Sequence, residues 1–203
     1  VHKVFVAPGN AGTALERGLE NIAITAIPEL IEFVKKESIA ITVVGPEIPL
    51  AAGIVDIFQT AGLKIFGPTR QAAQLETSKI FAKEFMQRHH IPTAAYARFA
   101  DSESAHAYIE QHPAPLVIKA DGLAAGKGVV VAQTKEEAHA AVNALLVEKN
   151  LGNAGSEIII EEFLQGIEAS FIVMTDGNHI LPLATSQDHK RLCDGDLGPN
   201  TGG

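Results

Sequence analysis

At 203 residues, 46% hydrophobic and 20% charged, the chain has room for one large domain or two small ones, and its composition excludes a disordered polypeptide. A formal net charge of −8 argues against nonspecific nucleic-acid binding, which needs clustered Lys and Arg, but not against an anionic substrate held by a few placed cations. The single cysteine, Cys193, excludes an intrachain disulfide, and no apolar run approaches the roughly 18 residues of a membrane span. These features, with no basic-then-apolar leader, lead us to expect a soluble cytoplasmic protein with neither a membrane nor a nucleic-acid partner. The chain opens without Met, inside the apolar run Val4-Phe5-Val6, and closes on a loop-like Gly198–Gly203. It reads as a fragment.

Residues 1–68 alternate strand-like and helix-like stretches. Val4–Val6 reads as a strand ended by Pro8-Gly9-Asn10. Ile27, Leu30, Ile31 and Val34 line one helix face, with Pro28 tolerated in the first turn. Ile39–Val44 reads as a buried strand stopped by Gly45-Pro46, Leu50 to Phe58 as one helix, and Leu63–Phe66 as a strand stopped by Gly67-Pro68. Such alternation predicts a parallel sheet whose ligands sit at the carboxyl ends of the strands. That would set Pro8-Gly9-Asn10, Gly45-Pro46-Glu47 and Gly67-Pro68-Thr69 along one rim.

The pattern changes between about Thr69 and Ser78. A helix is expected over Ser78–His89, strands over Tyr96–Phe99 and Leu116–Ala120, and a helix over Ser102–His112 between those strands. The strand Val129–Ala132 follows a glycine-rich stretch. Thr134 with Glu137 reads as a capping box opening a helix that carries Ala138, Ala141, Val142, Leu145 and Leu146 on one side. Glu157–Phe163 reads as a strand, and Asp176-Gly177-Asn178 as the turn of a hairpin between Ala169–Thr175 and His179–Ala184. Strands that return directly predict an α+β, largely antiparallel second part. The fold class expected is therefore a Rossmann-like parallel α/β domain followed by an α+β domain.

Chemistry concentrates in Lys119–Gly128, KADGLAAGKG. Gly122, Gly126 and Gly128 allow a tight backbone that presents N–H groups to an anion, while Lys119 and Lys127 bring positive charge. A Walker A loop has four residues between Gly and Gly-Lys, then Ser or Thr, and opens a helix; here three intervene, Gly128 follows, and a strand comes next. Alone, a glycine-rich turn between strands is more often only a turn. Some forty residues after Lys119, Ile158–Ile160 runs into Glu161-Glu162-Phe163-Leu164, with Glu168 beyond. A strand edge ending there offers backbone groups to an adenine edge and a carboxylate to ribose hydroxyls, although solvated strand-end charges are the commoner case. Asp188-His189-Lys190-Arg191 is either an exposed charged turn or a grip for a phosphorylated or carboxylated substrate. His89, His90, His106, His112, His139 and His179 show no metal spacing and read as surface or structural residues.

Seven stretches together resemble one family. They are VAPGNAGT (Val6–Thr13), VVGPEIPL (Val43–Leu50), IFGP (Ile65–Pro68), VIKADGLAAGKGV (Val117–Val129), IEEFL (Ile160–Leu164), ATSQDHKR (Ala184–Arg191) and GPNTGG (Gly198–Gly203). In order and spacing they are similar to the glycinamide ribonucleotide synthetases (phosphoribosylamine–glycine ligases), members of the ATP-grasp superfamily, over essentially the whole chain.

The resemblance implies an N-terminal substrate domain over residues 1–76, preceding an ATP-grasp domain over 77–203, with 99–165 as a small lid subdomain. It implies an enzyme of purine biosynthesis that uses ATP with magnesium or manganese to join glycine to 5-phosphoribosylamine through glycyl phosphate. Carried over by position, Lys79 and Lys119 would contact the ATP phosphates, and Gly122, Gly126, Lys127 and Gly128 would cover them. Glu161, Glu162, Phe163 and Leu164 would hold adenine, and Glu168 the ribose. Gly9, Asn10, Gly45, Pro46 and Glu47 would face phosphoribosylamine, and Asp188, Lys190 and Arg191 would join Lys119 near the reacting groups. The family's opening strand with its Gly-Asn-Gly-Gly-Arg-Glu type loop, and its acidic and Asn metal ligands, have no counterpart here. The metal ligands are therefore expected outside this chain, and the enzyme is expected to be a monomer. Two other readings stay open: another purine-pathway ATP-grasp carboxylate–amine ligase, or a non-catalytic nucleotide-binding module.

Overall fold

Helix signals and short parallel pairs organise the first of two units, Val1–Ile91, in the computed structural model, which describes residues 3–122, 128–189, 191–195 and 197–200. Its elements run β1 (Val4–Val6), α1 (Ala11–Leu15), β2 (Leu19–Asn21), α2 (Ile27–Lys36), β3 (Thr42–Val43), α3 (Glu47–Ala51), α4 (Ile54–Thr60), β4 (Ile65–Phe66), α5 (Gln74–Thr77) and α6 (Lys79–Arg88). In α2, Pro28 occupies the first turn, where no intrahelical N–H bond is lost. Glu29 near its start and Lys35 and Lys36 near its end match the helix dipole. Its apolar face delivers Val34 to a core shared with Leu50, Ile54, Val55, Phe58 and Ala73.

The expected parallel pairing is present, as β1 with β2 and β3 with β4. The expected single sheet is not: the strands form two separate two-stranded sheets. The strand expected over Ile39–Val44 contracts because the Ile39 N–H donates to the Val34 carbonyl, at 3.0 Å, and so closes the end of α2. The helix expected from Leu50 to Phe58 breaks into α3 and α4 at Gly53, which takes φ +83°.

The second unit, Pro92–Gly203, runs β5 (Tyr96–Phe99), α7 (Ser102–Gln111), β6 (Leu116–Ala120), β7 (Val129–Ala132), α8 (Lys135–Val142), β8 (Ile158–Glu162), β9 (Val173–Thr175), β10 (Ile180–Pro182), β11 (Arg191–Cys193) and β12 (Leu197–Asn200). α8 continues into a π-helical turn, Asn143–Val147. Four strands form an antiparallel sheet in the order β5-β8-β6-β7. Alternation along β6 and β8 sends Leu116, Ile118, Ala120, Ile158 and Ile160 into one core with Ala105 and Ile109 of α7 and Ala138, Ala141 and Val142 of α8. The intervening residues, Val117, Lys119, Ile159 and Glu161, therefore belong to the opposite face. That assignment of faces creates the site.

Asp101 caps α7 by accepting from the Ser104 N–H, and Thr134 caps α8 by accepting from Glu137. The reciprocal half of the expected capping box is shifted: the Glu137 carboxylate accepts from the Gln133 N–H at 2.7 Å, one residue before the cap. β9 and β10 pair across the expected turn. There Asp176 accepts from the His179 ring and from the Asn178 and His179 N–H groups, which lowers its pKa to about 2.

Candidate active site

Lys119 is the last but one residue of β6, and Glu161 lies on the neighbouring strand β8. In register, Lys119 stands opposite Ile159 and Val117 opposite Glu161, so the two charged side chains are diagonal neighbours on one face. Lys119 Nζ donates to Glu161 Oε2 at 2.7 Å. The side chains are 28% and 6% exposed, so the glutamate is almost wholly withdrawn from water while the lysine side chain remains in partial contact with it. A charge-assisted bond in that setting fixes both position and charge of the lysine.

β6 leads from this pair into the glycine-rich stretch, and both ends of that stretch are tied down. The Ala120 N–H donates to Gly128 O at 2.8 Å, Asp121 N–H to Glu157 O at 3.0 Å, and Gly122 N–H to Ala154 O at 3.1 Å. A Cβ on Gly122 would lie 2.9 Å from Ala154 Cα, so only glycine allows this approach. The Gly122 N–H is thus engaged with the protein itself, and Gly128 is buried. Gly126 and Lys127 lie outside the described residues.

Beyond Glu161 the strand end is clamped. The Ala95 N–H donates to Glu162 Oε1 at 2.8 Å, and the Glu162 N–H returns a bond to Ala95 O at 3.0 Å. The Glu162 carboxylate therefore holds β8 to the start of β5. Phe163 and Leu164 follow with 39% and 63% of their surface exposed, and Glu168 is exposed. Asp188 is half-buried and Arg191 opens β11, while Lys190 lies outside the described residues. The second unit thus brings Lys119 and Glu161 into direct contact, at the mouth of the loop bounded by Gly122 and Gly128.

The other expected site residues belong to the first unit. Asn10 accepts from the Thr13 N–H at 3.0 Å and caps α1, while the Asn21 amide donates to its carbonyl at 2.8 Å. Gly9 takes φ +79°, and a Cβ there would sit 2.2 Å from the Asn21 side chain. Thr13 and Asn21 are parts of this loop that sequence reading missed, since nothing in a lone Thr and Asn marks a shared network. Gly45 is exposed, Pro46 is the cap of α3 and Glu47 its first residue, where a negative charge meets the helix N-terminus. Lys79, half-buried, opens α6. A cavity of about 610 Å³, not foreseen, is lined by Ala51, Asp56, Arg70, Gln71, Gln74 and Thr77, with Asp56 Oδ2 accepting from the Arg70 N–H at 2.7 Å.

The second part of the chain is an ATP-grasp domain, as its family-model match over residues 77–203 shows. At the level of fold, the biotin carboxylase domain of Hydrogenobacter thermophilus 2-oxoglutarate carboxylase superposes with TM-score 0.64 at 16% identity, over 85% of this chain and 41% of that one. The family model described as the phosphoribosylglycinamide synthetase N domain matches residues 1–76, and that of the phosphoribosylglycinamide synthetase ATP-grasp (A) domain matches residues 77–203. The chain belongs to the phosphoribosylglycinamide synthetase family.

The phosphoribosylamine–glycine ligase of Neisseria meningitidis serogroup B is 66% identical over 203 residues, all of this chain and 48% of that protein. The corresponding Escherichia coli K12 protein is 63% identical over 205 residues, with the same shares. The crystal structure of the Thermotoga maritima enzyme superposes with TM-score 0.78 at 34% identity, over 98% of this chain and 47% of that one. The chain spans about half the length of the curated relatives it matches. The two family models meet between residues 76 and 77, whereas the compact units divide between Ile91 and Pro92, since α5 packs on α3 and α6 on α5.

Proposed function

We propose that the full-length protein carrying this chain is an ATP-dependent ligase that joins glycine to 5-phosphoribosylamine in purine biosynthesis, as a cytoplasmic monomer. The observation that carries the reading is the match of both family models, which together span the chain. The Lys119–Glu161 pair supplies its chemistry. A carboxylate is a poor electrophile. One glycine oxygen attacks the γ-phosphorus of ATP, the bond to ADP breaks, and glycyl phosphate forms with a good leaving group. The amine of phosphoribosylamine then attacks the carbonyl carbon, the carbon–oxygen bond to phosphate breaks, and the amine proton is lost.

In this reading the Lys119 ammonium, aimed by Glu161, meets the negative charge that spreads over the transferred phosphoryl group. The strand end at Phe163 and Leu164 offers backbone and apolar surface to adenine, and Glu168 takes the ribose. Residues 99–165 act as a lid that keeps water from glycyl phosphate. Gly9, Asn10, Gly45, Pro46 and Glu47 face phosphoribosylamine, while Asp188, Lys190 and Arg191 lie near the reacting groups. Two proteins of this fold were solved with nucleotide, the Hydrogenobacter domain with magnesium ADP and a Bacillus anthracis D-alanine–D-alanine ligase with ATP. Magnesium or manganese, when bound, would neutralise the phosphates. In this reading the ligands of that ion lie outside this chain.

Glycine labelled with ¹⁸O in its carboxylate tests the chemistry. Attack through a carboxylate oxygen transfers one label into the phosphate released at each turnover. Unlabelled phosphate would rule out glycyl phosphate.

A further inference from the structure

The loop that follows β1 is held by a residue reaching it from β2. The two strands run parallel with Val6 opposite Asn21, so both end on the carboxyl side, where parallel strands of this kind take their ligands. From there the half-buried Asn21 side chain bridges back to the start of α1. Its Nδ2 donates to Asn10 O at 2.8 Å, and its Oδ1 lies 2.8 Å from Thr13 Oγ1. The Asn10 N–H donates to that same hydroxyl, also at 2.8 Å. Room for the bridge comes from Gly9, whose φ is +79° and where a Cβ would sit 2.2 Å from Asn21 Cγ. The Asn21 carboxamide thus occupies the space that any side chain at position 9 would need.

Donor and acceptor rules close these contacts into a ring. Thr13 Oγ1 also stands 3.0 Å from Asn10 O, but a hydroxyl has one hydrogen to give. The Asn10 carbonyl already accepts from Asn21 and from the Ala14 N–H at 3.0 Å, so the hydroxyl hydrogen goes to Asn21 Oδ1. The Asn10 backbone is then fixed at its N–H and at its carbonyl. Its side chain is fixed as well, because Oδ1 accepts from the Thr13 N–H at 3.0 Å. That leaves the Asn10 Nδ2 group, with two hydrogens to donate, on an exposed residue. Among the described residues nothing accepts from it.

We propose, on the reading that this loop faces 5-phosphoribosylamine, that Asn10 Nδ2 donates to the sugar phosphate and that Asn21 and Thr13 are the positioning residues that aim it. Phosphate and ribose hydroxyl oxygens are acceptors that a neutral amide can serve. Asn21 has both polar atoms of its own side chain engaged within the ring, so its influence on substrate passes through Asn10. A loop oriented before the substrate arrives loses less freedom on binding, and the effect falls on affinity for the substrate that the loop touches. ATP, held in this reading by the second unit, should not sense it.

Steady-state kinetics of the full-length protein, with each substrate varied in turn, test this. Asn21→Ala should raise KM for 5-phosphoribosylamine about tenfold, the scale of one lost hydrogen bond, while KM for ATP moves less than about twofold. Thr13→Val opens the same ring without touching β2 and should act in the same direction. Asn10→Asp keeps the oxygen that caps α1 but removes the donor, and should raise the same KM with thermal melting unchanged. In that background Asn21→Ala should add less than about twofold, because the group it aims is gone. An equal rise in KM for ATP, or full additivity of the two substitutions, would make Asn21 a structural residue and overturn the proposal. An unmoved KM in Asn10→Asp would remove the contact itself. An unmutated protein that does not turn over 5-phosphoribosylamine would instead overturn the function proposed above, and the contact with it.

Discussion

Replacing Lys119 by Ala in the full-length protein is expected to lower kcat for ADP release by about 10²–10³, the usual loss when one preorganised charge contact to a transition state is removed. KM for glycine should move much less. The expectation follows from geometry: Lys119 Nζ sits 2.7 Å from a carboxylate that is almost wholly buried, on the face opposite the helices and beside the loop that starts at Gly122. The loss should therefore appear in the chemical step. Glu161→Gln keeps the shape but removes the charge that steadies the ammonium, and should give a smaller fall in the same constant. Steady-state rates of both variants, with far-ultraviolet circular dichroism to confirm folding, are the check. A normal kcat for Lys119→Ala would reduce the lysine to a strand-end ion pair.

The largest expected loss of stability is in the first unit. Phe58 is 0% exposed, within a core that includes Val34, Leu50, Ile54 and Val55. Phe58→Ala removes a full ring from that core and leaves a cavity that short helices on either side close only in part. The cost should be about 3–5 kcal/mol. Urea denaturation of the variant against the parent measures it. A loss below about 1 kcal/mol would mean that α4 collapses into the gap and that the core is more plastic than its burial suggests.

The α/β-then-α+β order was legible because burial leaves a periodic trace. Ile27, Leu30, Ile31 and Val34 announced α2, and the β-branched runs 116–120, 129–132 and 158–162 announced three of the four strands of the large sheet. Shorter elements left no such trace. α1 and α5 are five and four residues long, and β2 is Leu-Glu-Asn, so none spans enough of a period to stand out. The division of the parallel strands into two pairs also escaped, since strand-like runs announce strands and not which of them pair.

For the site, residue types were legible and their partners were not. Lys119 and Glu161 were each singled out, 42 residues apart, but their contact is fixed by the register of β6 against β8. Glu162 carries the expectation of a backbone contact to adenine, and the bond of its carboxylate to the Ala95 N–H, 67 residues away, was not legible. Gly122 was read as an anion donor, whereas its N–H goes to Ala154.

The proposed function makes this chain part of a ligase specific for glycine and 5-phosphoribosylamine. Its most direct test is the initial rate of ADP release by the full-length protein, with both substrates present and with each omitted or exchanged for another carboxylate or amine. The account predicts rapid ADP release only when glycine and 5-phosphoribosylamine are present together, with one glycinamide ribonucleotide formed per ADP. Equal ADP release with an unrelated carboxylate, or ADP release without an amide product, would contradict it.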